Sequence, residues 1–203
     1  MLGIALVLVG IVLVHNGIMF LSKSRVVTKG EDGQEITTVV PMVVASPKSI
    51  AFFNLIVGLA LVVGNLIVFA FHTTYGVYAS FQNIAAGLLF GITYLFIAGN
   101  LLFKLDPRPF GIYCLGVAIF SAVAAVYSLV QLADIGMTYG YSFLILALLW
   151  ISWLIVWLAG FLQFNLKIKF VDKAFPYLSI IVGVVGAFVP ALLLLTGVWS
   201  LWG

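Results

Sequence analysis

Long apolar runs separated by short polar breaks fill the whole chain. Six of them, at about 2–21, 49–71, 78–103, 109–132, 139–166 and 175–199, reach the roughly 20 residues that a helix needs to cross the hydrocarbon of a bilayer. Each run is continuously apolar and does not alternate, which predicts helices and excludes the strands of a membrane barrel. The expected fold is an all-α membrane protein, a single domain over 1–203 built as a bundle of six transmembrane helices. The first run has no basic segment before it and no small-residue cleavage site ahead of Phe20, so it reads as a retained span and not as a signal peptide. The longest break, 22–48, reads as an insertion of its own. Arg25–Lys29 and Glu35–Val40 are β-prone and flank Gly30-Glu31-Asp32-Gly33-Gln34, whose Asp-Gly pair favours a tight turn. A β-hairpin is expected there, with Ser46 or Ser49 capping the helix that follows.

Composition sharpens this picture. Hydrophobic residues make up 65% of the 203 residues and charged ones only 7%, against about a quarter in soluble domains. Mean hydropathy is +1.29. A soluble enzyme, a nucleic-acid-binding protein and a disordered chain are all excluded. The nine cations fall in three of the five connections: Lys23, Arg25, Lys29 and Lys48, then Lys104 and Arg108, then Lys167, Lys169 and Lys173. The breaks near 72–77 and 133–138 hold none. Cations gather on the cytoplasmic side of membrane proteins, so the 22–48 insertion is expected in the cytoplasm and both termini outside it. The net charge of +3 thus encodes orientation and does not point to nucleic acid. The single cysteine, Cys114, has no disulfide or metal-ligand companion.

What the spans lack narrows the chemistry. The six acids, Glu31, Asp32, Glu35, Asp106, Asp134 and Asp172, lie in connections or at span ends, and His15 is the one ionisable side chain well inside a span. Ion-coupled carriers and voltage sensors rely on intramembrane charge. No carboxylate pair, nucleophile–base pair or metal cluster is present to support an enzyme or a cofactor. A neutral interior suits a neutral solute. His15 is open to two readings, a hydrogen-bonded structural group or a proton relay.

Several stripes recur at helical spacing. Gly3, Gly10 and Gly17 form a smooth line suited to close helix approach. Leu2, Leu6, Val9, Leu13 and Asn16 form a second line. Leu146, Trp150, Trp153 and Trp157 fall at i, i+4, i+7 and i+11, which describes either an aromatic packing seam or the wall of a narrow path. Phe90 and Tyr94 share a face of the third run, beside the small-residue pair Gly87 and Gly91.

The block Gly87-Leu88-Leu89-Phe90-Gly91-Ile92-Thr93-Tyr94-Leu95-Phe96, followed by Leu105-Asp106-Pro107-Arg108-Pro109, resembles the bacterial urea channel and short-chain amide transporter family (AmiS/UreI). So do the opening Met1-Leu2-Gly3 through Asn16-Gly17, the tryptophans of the fifth run, and Phe175-Pro176-Tyr177 leading into Ile180-Ile181. The resemblance spans nearly the whole chain, apart from 22–48 and the outer connections.

The resemblance implies a protomer that is itself a pore, assembled into a homohexameric ring in the bacterial inner membrane, passing urea or small amides such as acetamide downhill. Carried over by position, its constrictions fall to Leu2, Leu6, Val9 and Leu13, to Phe90 and Tyr94, and to Leu146, Trp150, Trp153 and Trp157. Asn16 adds a polar edge. This favours the pore-wall reading of the tryptophans over the seam. Two departures stand out. The acid-gated members carry a long, histidine-containing outer loop, whereas these outer breaks are short and hold only His72, so conduction without acid activation is expected. Val182 stands where those channels have a glutamate, which leaves the choice between urea and amides open. The alternatives are a proton-coupled urea or amide transporter working through His15, and a non-transporting scaffold whose 22–48 segment recruits a cytoplasmic urease or amidase.

Overall fold

A computed structural model describes residues 2–22, 26–29, 35–38, 46–75, 81–135 and 137–199. Its helices are α1 (Leu2–Ser22), α2 (Pro47–Tyr75), α3 (Phe81–Phe103), α4 (Arg108–Ile135), α5 (Met137–Phe164), α6 (Lys169–Gly183) and α7 (Val189–Leu195). A single π-helical stretch, Val184–Phe188, joins α6 to α7, so the two run on as one span. Among the described residues, six helical segments are long and apolar enough to cross a bilayer. Together they make a multi-pass membrane protein with an all-helical bundle. Between α1 and α2, strands β1 (Val26–Lys29) and β2 (Glu35–Thr38) pair antiparallel, Val26 opposite Thr38 and Lys29 opposite Glu35. The turn between them lies outside the described residues.

Helix ends differ from the apolar runs where polar residues join the helix. The last span starts at Lys169 and not near 175, because exposed Lys169, Asp172 and Lys173 form its first turns. The break read at 133–138 is almost all helix: α4 ends at Ile135 and α5 begins at Met137, with Gly136 outside the described residues. The break read at 72–77 is likewise helical as far as Tyr75. Ser46 caps α2, its Oγ accepting the Ser49 N–H at 3.1 Å, the bond that an N-terminal orphan donor needs. At the same end of the bundle, Lys104 (φ 53°) directly follows α3 and Lys167 (φ 52°) lies three residues past α5, left-handed residues that turn the chain sharply.

Lipid supplies no hydrophobic drive between helices, so fit and hydrogen bonds hold the bundle. The glycine line of α1 faces the last span. A Cβ on Gly10 would stand 2.8 Å from the Phe188 backbone nitrogen and 2.9 Å from the Gly183 carbonyl; on Gly17 it would stand 2.7 Å from the Pro176 carbonyl. Gly58 and Gly91 bring α2 and α3 together in the same way, with a Gly58 Cβ falling 2.9 Å from the Gly91 carbonyl. The buried core runs down the axis through Leu6, Val9, Val12, Phe90, Tyr94, Trp150, Trp153 and Trp157.

Candidate functional site

Inside the bundle a cavity of about 50 Å³ opens between α1, α3, α4, α5 and α6. A water occupies roughly 10–15 Å³ on this measure, so the space suits a solute of a few heavy atoms. Its far wall is made by Phe20, Phe110, Phe164 and Phe175, which sit at the helix ends adjoining the cation-bearing connections. The cavity therefore occupies that half of the bundle.

Of the residues singled out by sequence, Leu13, Asn16, Phe90, Tyr94, Trp153, Trp157 and Val182 line the cavity together. Phe90 is the pivot of the aromatic wall. Its ring meets Trp153 edge to face with centroids 5.0 Å apart and leans on Trp157 at 4.8 Å. Both are offset arrangements that aromatic quadrupoles favour. Tyr94 donates its hydroxyl to the Val9 carbonyl at 3.4 Å. Trp153 donates its indole N–H to the Gly186 carbonyl at 2.9 Å.

Leu6, Val9, Leu146 and Trp150 do not line the cavity; they are buried in the packed half beyond it. Trp150 is wedged between Phe120, at 5.5 Å, and Trp153, at 4.9 Å. Its Nε1 has no hydrogen-bond partner. The spacing of three that separates Trp150 from Trp153 turns one indole toward α4 while the other faces the space. The Leu2 side chain lies outside the described residues, as does that of His72.

Sequence reasoning missed Phe20, Thr93, Phe110, Cys114, Phe164 and Ser179 as wall residues. Two signals were available. Phe20 continues the Leu2-to-Asn16 stripe by one more step of four, and Phe164 continues the tryptophan stripe by seven. Phe20 and Phe175 meet edge to face at 6.0 Å and close the cavity toward the connections.

Polar atoms in the wall are few and mostly turned inward on the protein. Thr93 Oγ1 donates to the Leu89 carbonyl at 2.8 Å and Ser179 Oγ donates to the Phe175 carbonyl at 2.9 Å. Tyr113 adds a second hydroxyl to the Leu89 carbonyl, at 2.6 Å. Asn16 and the buried Asn54 of α2 bind one another reciprocally, Asn16 Nδ2 to Asn54 Oδ1 at 2.8 Å and Asn54 Nδ2 to Asn16 Oδ1 at 2.9 Å. His15 lies beside them, its Nδ1 3.4 Å from Asn16 Oδ1 and its ring against Phe53 at 4.7 Å. Among the described residues no group of His, Cys, Asp or Glu could hold a metal. Among the described residues no carboxylate, lysine, arginine or histidine lines the space. Such a wall offers ring faces, methyl groups and scattered hydrogen-bonding edges, the inventory for a small uncharged polar molecule and a poor one for an ion that must shed its hydration shell.

Known proteins carry the same architecture. The chain is 36% identical to the acid-activated urea channel of Helicobacter pylori over 219 aligned positions, 98% of this chain and all of that one. It is 30% identical over 117 positions to a Mycolicibacterium smegmatis protein named as a transporter of amidate substrates, covering 57% of this chain and 51% of that one. The crystal structure of the Helicobacter pylori urea channel superposes with a TM-score of 0.73 at 35% identity, covering 98% of this chain. A cryoEM structure of that channel in its closed state gives 0.74 at the same identity and coverage. These relatives are channels and transporters and not enzymes. Residues 36–198 match the family of AmiS/UreI transporters, and with the bundle and the neutral aromatic cavity in agreement, the chain belongs to that family.

Proposed function

We propose that this protein is a passive channel for urea and short-chain aliphatic amides such as acetamide. The observation that carries the reading is the cavity itself, sized for a few heavy atoms and walled by Phe90, Trp153, Trp157 and Tyr94 with no charge in its lining. Urea and acetamide are planar, so their faces stack on indole and phenyl rings while their edges exchange hydrogen bonds with Asn16, Thr93 or Ser179. Each contact is weak, which permits rapid release. The names of the relatives support both solute classes. By position in the sequence Leu2, Leu6, Val9, Leu146 and Trp150 are assigned to the continuation of the path beyond the cavity, and Val182 supplies an apolar wall that tolerates an amide methyl group.

Flux without acid activation follows from the scarcity of titratable groups. His72, near the end of α2, is the sole histidine besides His15, and imidazole is the side chain that ordinarily responds near pH 6. The proposed assembly is a homohexameric ring in the bacterial inner membrane with both termini outside. Broad apolar faces on α2 (Phe52, Ile56, Val63) and α4 (Ile112, Val123, Val126) are available to lipid and to neighbouring copies.

Stopped-flow flux of urea and of acetamide into proteoliposomes at pH 5 and pH 7.5 tests the reading. Rapid, equal flux at both values is expected. Permeability no higher than that of empty vesicles would refute the channel, and flux confined to pH 5 would refute the ungated form. A second reading, a proton-coupled transporter, draws on His15 beside Asn16 at the cavity wall. Uphill accumulation driven by an imposed pH gradient, lost in His15→Ala, would favour it over the channel.

A further inference from the structure

Asn54 lies on α2, the one long helix that contributes nothing to the cavity wall, yet it is 0% exposed and its amide is fully engaged. Besides the two bonds with Asn16, Asn54 Nδ2 donates to the Ile50 carbonyl at 2.8 Å. A side-chain amide has two N–H protons and one oxygen. Both protons of Asn54 are therefore used, one on Ile50 and one on Asn16, and its oxygen takes the proton offered by Asn16.

This arrangement has a direction. The Ile50 carbonyl accepts only a donor, so it fixes which end of the Asn54 amide is nitrogen. Asn54 Oδ1 then faces α1 and accepts only a donor, which fixes Asn16 Nδ2 opposite it. Asn16 Oδ1 is held in turn by Asn54 Nδ2 and approached by His15 Nδ1 at 3.4 Å. What remains is the second N–H of Asn16, which has no protein partner among the described residues. Asn16 is 3% exposed and borders two spaces, the main cavity and a smaller one of about 10 Å³ beside Ile50 and Ile97.

We infer that Asn54 is a positioning residue for permeation: through the relay from Ile50 to Asn54 to Asn16 it holds an amide N–H ready for the carbonyl oxygen of the solute. The wall supplies the complement. The hydroxyl protons of Thr93 and Ser179 are spent on backbone carbonyls, so these two oxygens retain lone pairs for solute N–H groups. Without the two bonds to Asn54, the Asn16 amide is free to turn over and present its oxygen, which repels a carbonyl. The relay thus selects solutes that carry a good oxygen acceptor beside N–H donors. The inference rests on the channel reading and adds to it the residue that orients the polar contact.

The experiment uses the full chain in proteoliposomes and compares urea with thiourea, which keeps the N–H edges but replaces the oxygen by sulfur, a weak acceptor. The ratio of the two fluxes does not depend on how many copies insert correctly, so it separates positioning from a structural role. Asn54→Leu is expected to lower the urea-to-thiourea ratio about fivefold, the worth of one neutral hydrogen bond. Asn16→Leu should do the same, and the double variant should fall no further. Asn54→Ser, smaller and still polar, gives the same reading if the leucine variant fails to insert. An unchanged ratio in the Asn54 variants, with only total flux reduced, would overturn the inference. So would a double variant whose loss is the product of the two single losses. Absence of urea flux in the unaltered chain would instead overturn the channel reading, before Asn54 is touched.

Discussion

The indole nitrogen of Trp153 donates to the carbonyl oxygen of Gly186 at 2.9 Å, within the π-helical stretch of the last span. Its origin is four residues further on. In an α-helix the Gly186 carbonyl would accept from residue 190, and Pro190 has no N–H to give. An unpaired carbonyl in the bilayer is expensive, and Trp153 supplies Gly186 with a donor from α5 where Pro190 cannot. The same side chain therefore lines the cavity with its ring and secures the backbone with its nitrogen.

Replacing Trp153 by Phe keeps an aromatic face in the wall but leaves the Gly186 carbonyl without its side-chain donor. A loss of about 1 kcal/mol of stability is expected, measured by thermal unfolding in detergent. Pro190→Ala restores a backbone N–H, so in that background Trp153→Phe should cost markedly less. Equal losses in the two backgrounds would show that the indole bond does not answer to the proline.

Close approach of α1 to the last span predicts a sharp gradient along the glycine line. Gly10→Ala sets a methyl 2.8 Å from the Phe188 nitrogen and 2.9 Å from the Gly183 carbonyl, and neither backbone atom can move aside alone. Gly3→Ala meets no backbone atom, only the flexible end of Leu195 at 3.1 Å and Leu194 Cβ at an ordinary 3.5 Å. Overpacking of this kind costs about 1–3 kcal/mol. Gly10→Ala should therefore lower the midpoint of thermal unfolding clearly, while Gly3→Ala leaves it nearly unchanged. The reverse order would mean that α1 does not pack on the π-helical stretch as described.

The six spans were legible because a bilayer imposes one strict rule on the backbone, and continuous apolar runs of the right length obey it. Ends were less legible. Lys169, Asp172 and Lys173 continue a helix into water, where hydropathy sees only a connection, and the near-absence of a break between Ile135 and Met137 could not be read from polarity. The cavity was legible in part. Spacing places Trp150 and Trp153 on one broad face, but residues three apart differ by about 60° around a helix. Only the position of Phe120 on α4 decides that Trp150 packs and Trp153 lines. Asn54 carried no local signal at all, since its role depends on a partner 38 positions away. Pro190 removes a backbone donor from the last span, but no local signal says that an indole from another helix answers it.

At the connection between α3 and α4, Arg108 binds the Asp106 carboxylate through Nε at 2.8 Å and again through its second nitrogen. Those hydrogen bonds hold the Asp106 carboxyl down at about 2. A depressed carboxyl keeps its stabilising contact above the ordinary carboxylate range and loses it only as pH falls through the depressed value. Between pH 5 and pH 7.5 Asp106 thus stays ionised and paired. Asp106→Asn should leave the ratio of urea flux at pH 5 to that at pH 7.5 unchanged, measured in the same vesicles. A ratio that moves by severalfold would make this exposed pair part of a pH response.

Cys114 offers a direct mark of the path. Its side chain is 2% exposed and sits in the cavity wall, with its sulfur 3.2 Å from where a Cβ on Gly160 would lie. A bulky group attached to that sulfur has nowhere to go except into the cavity. Small uncharged thiol reagents and mercurials should therefore reach it through the route that solutes take and reduce urea flux at least severalfold. Cys114→Ser should conduct and resist them. Saturating acetamide should slow the loss, because an occupied cavity excludes the reagent. Block that persists in Cys114→Ser would place the reactive group elsewhere, since Cys114 is the one cysteine of the chain. Modification of Cys114 that leaves flux intact would move the conducting path out of this cavity.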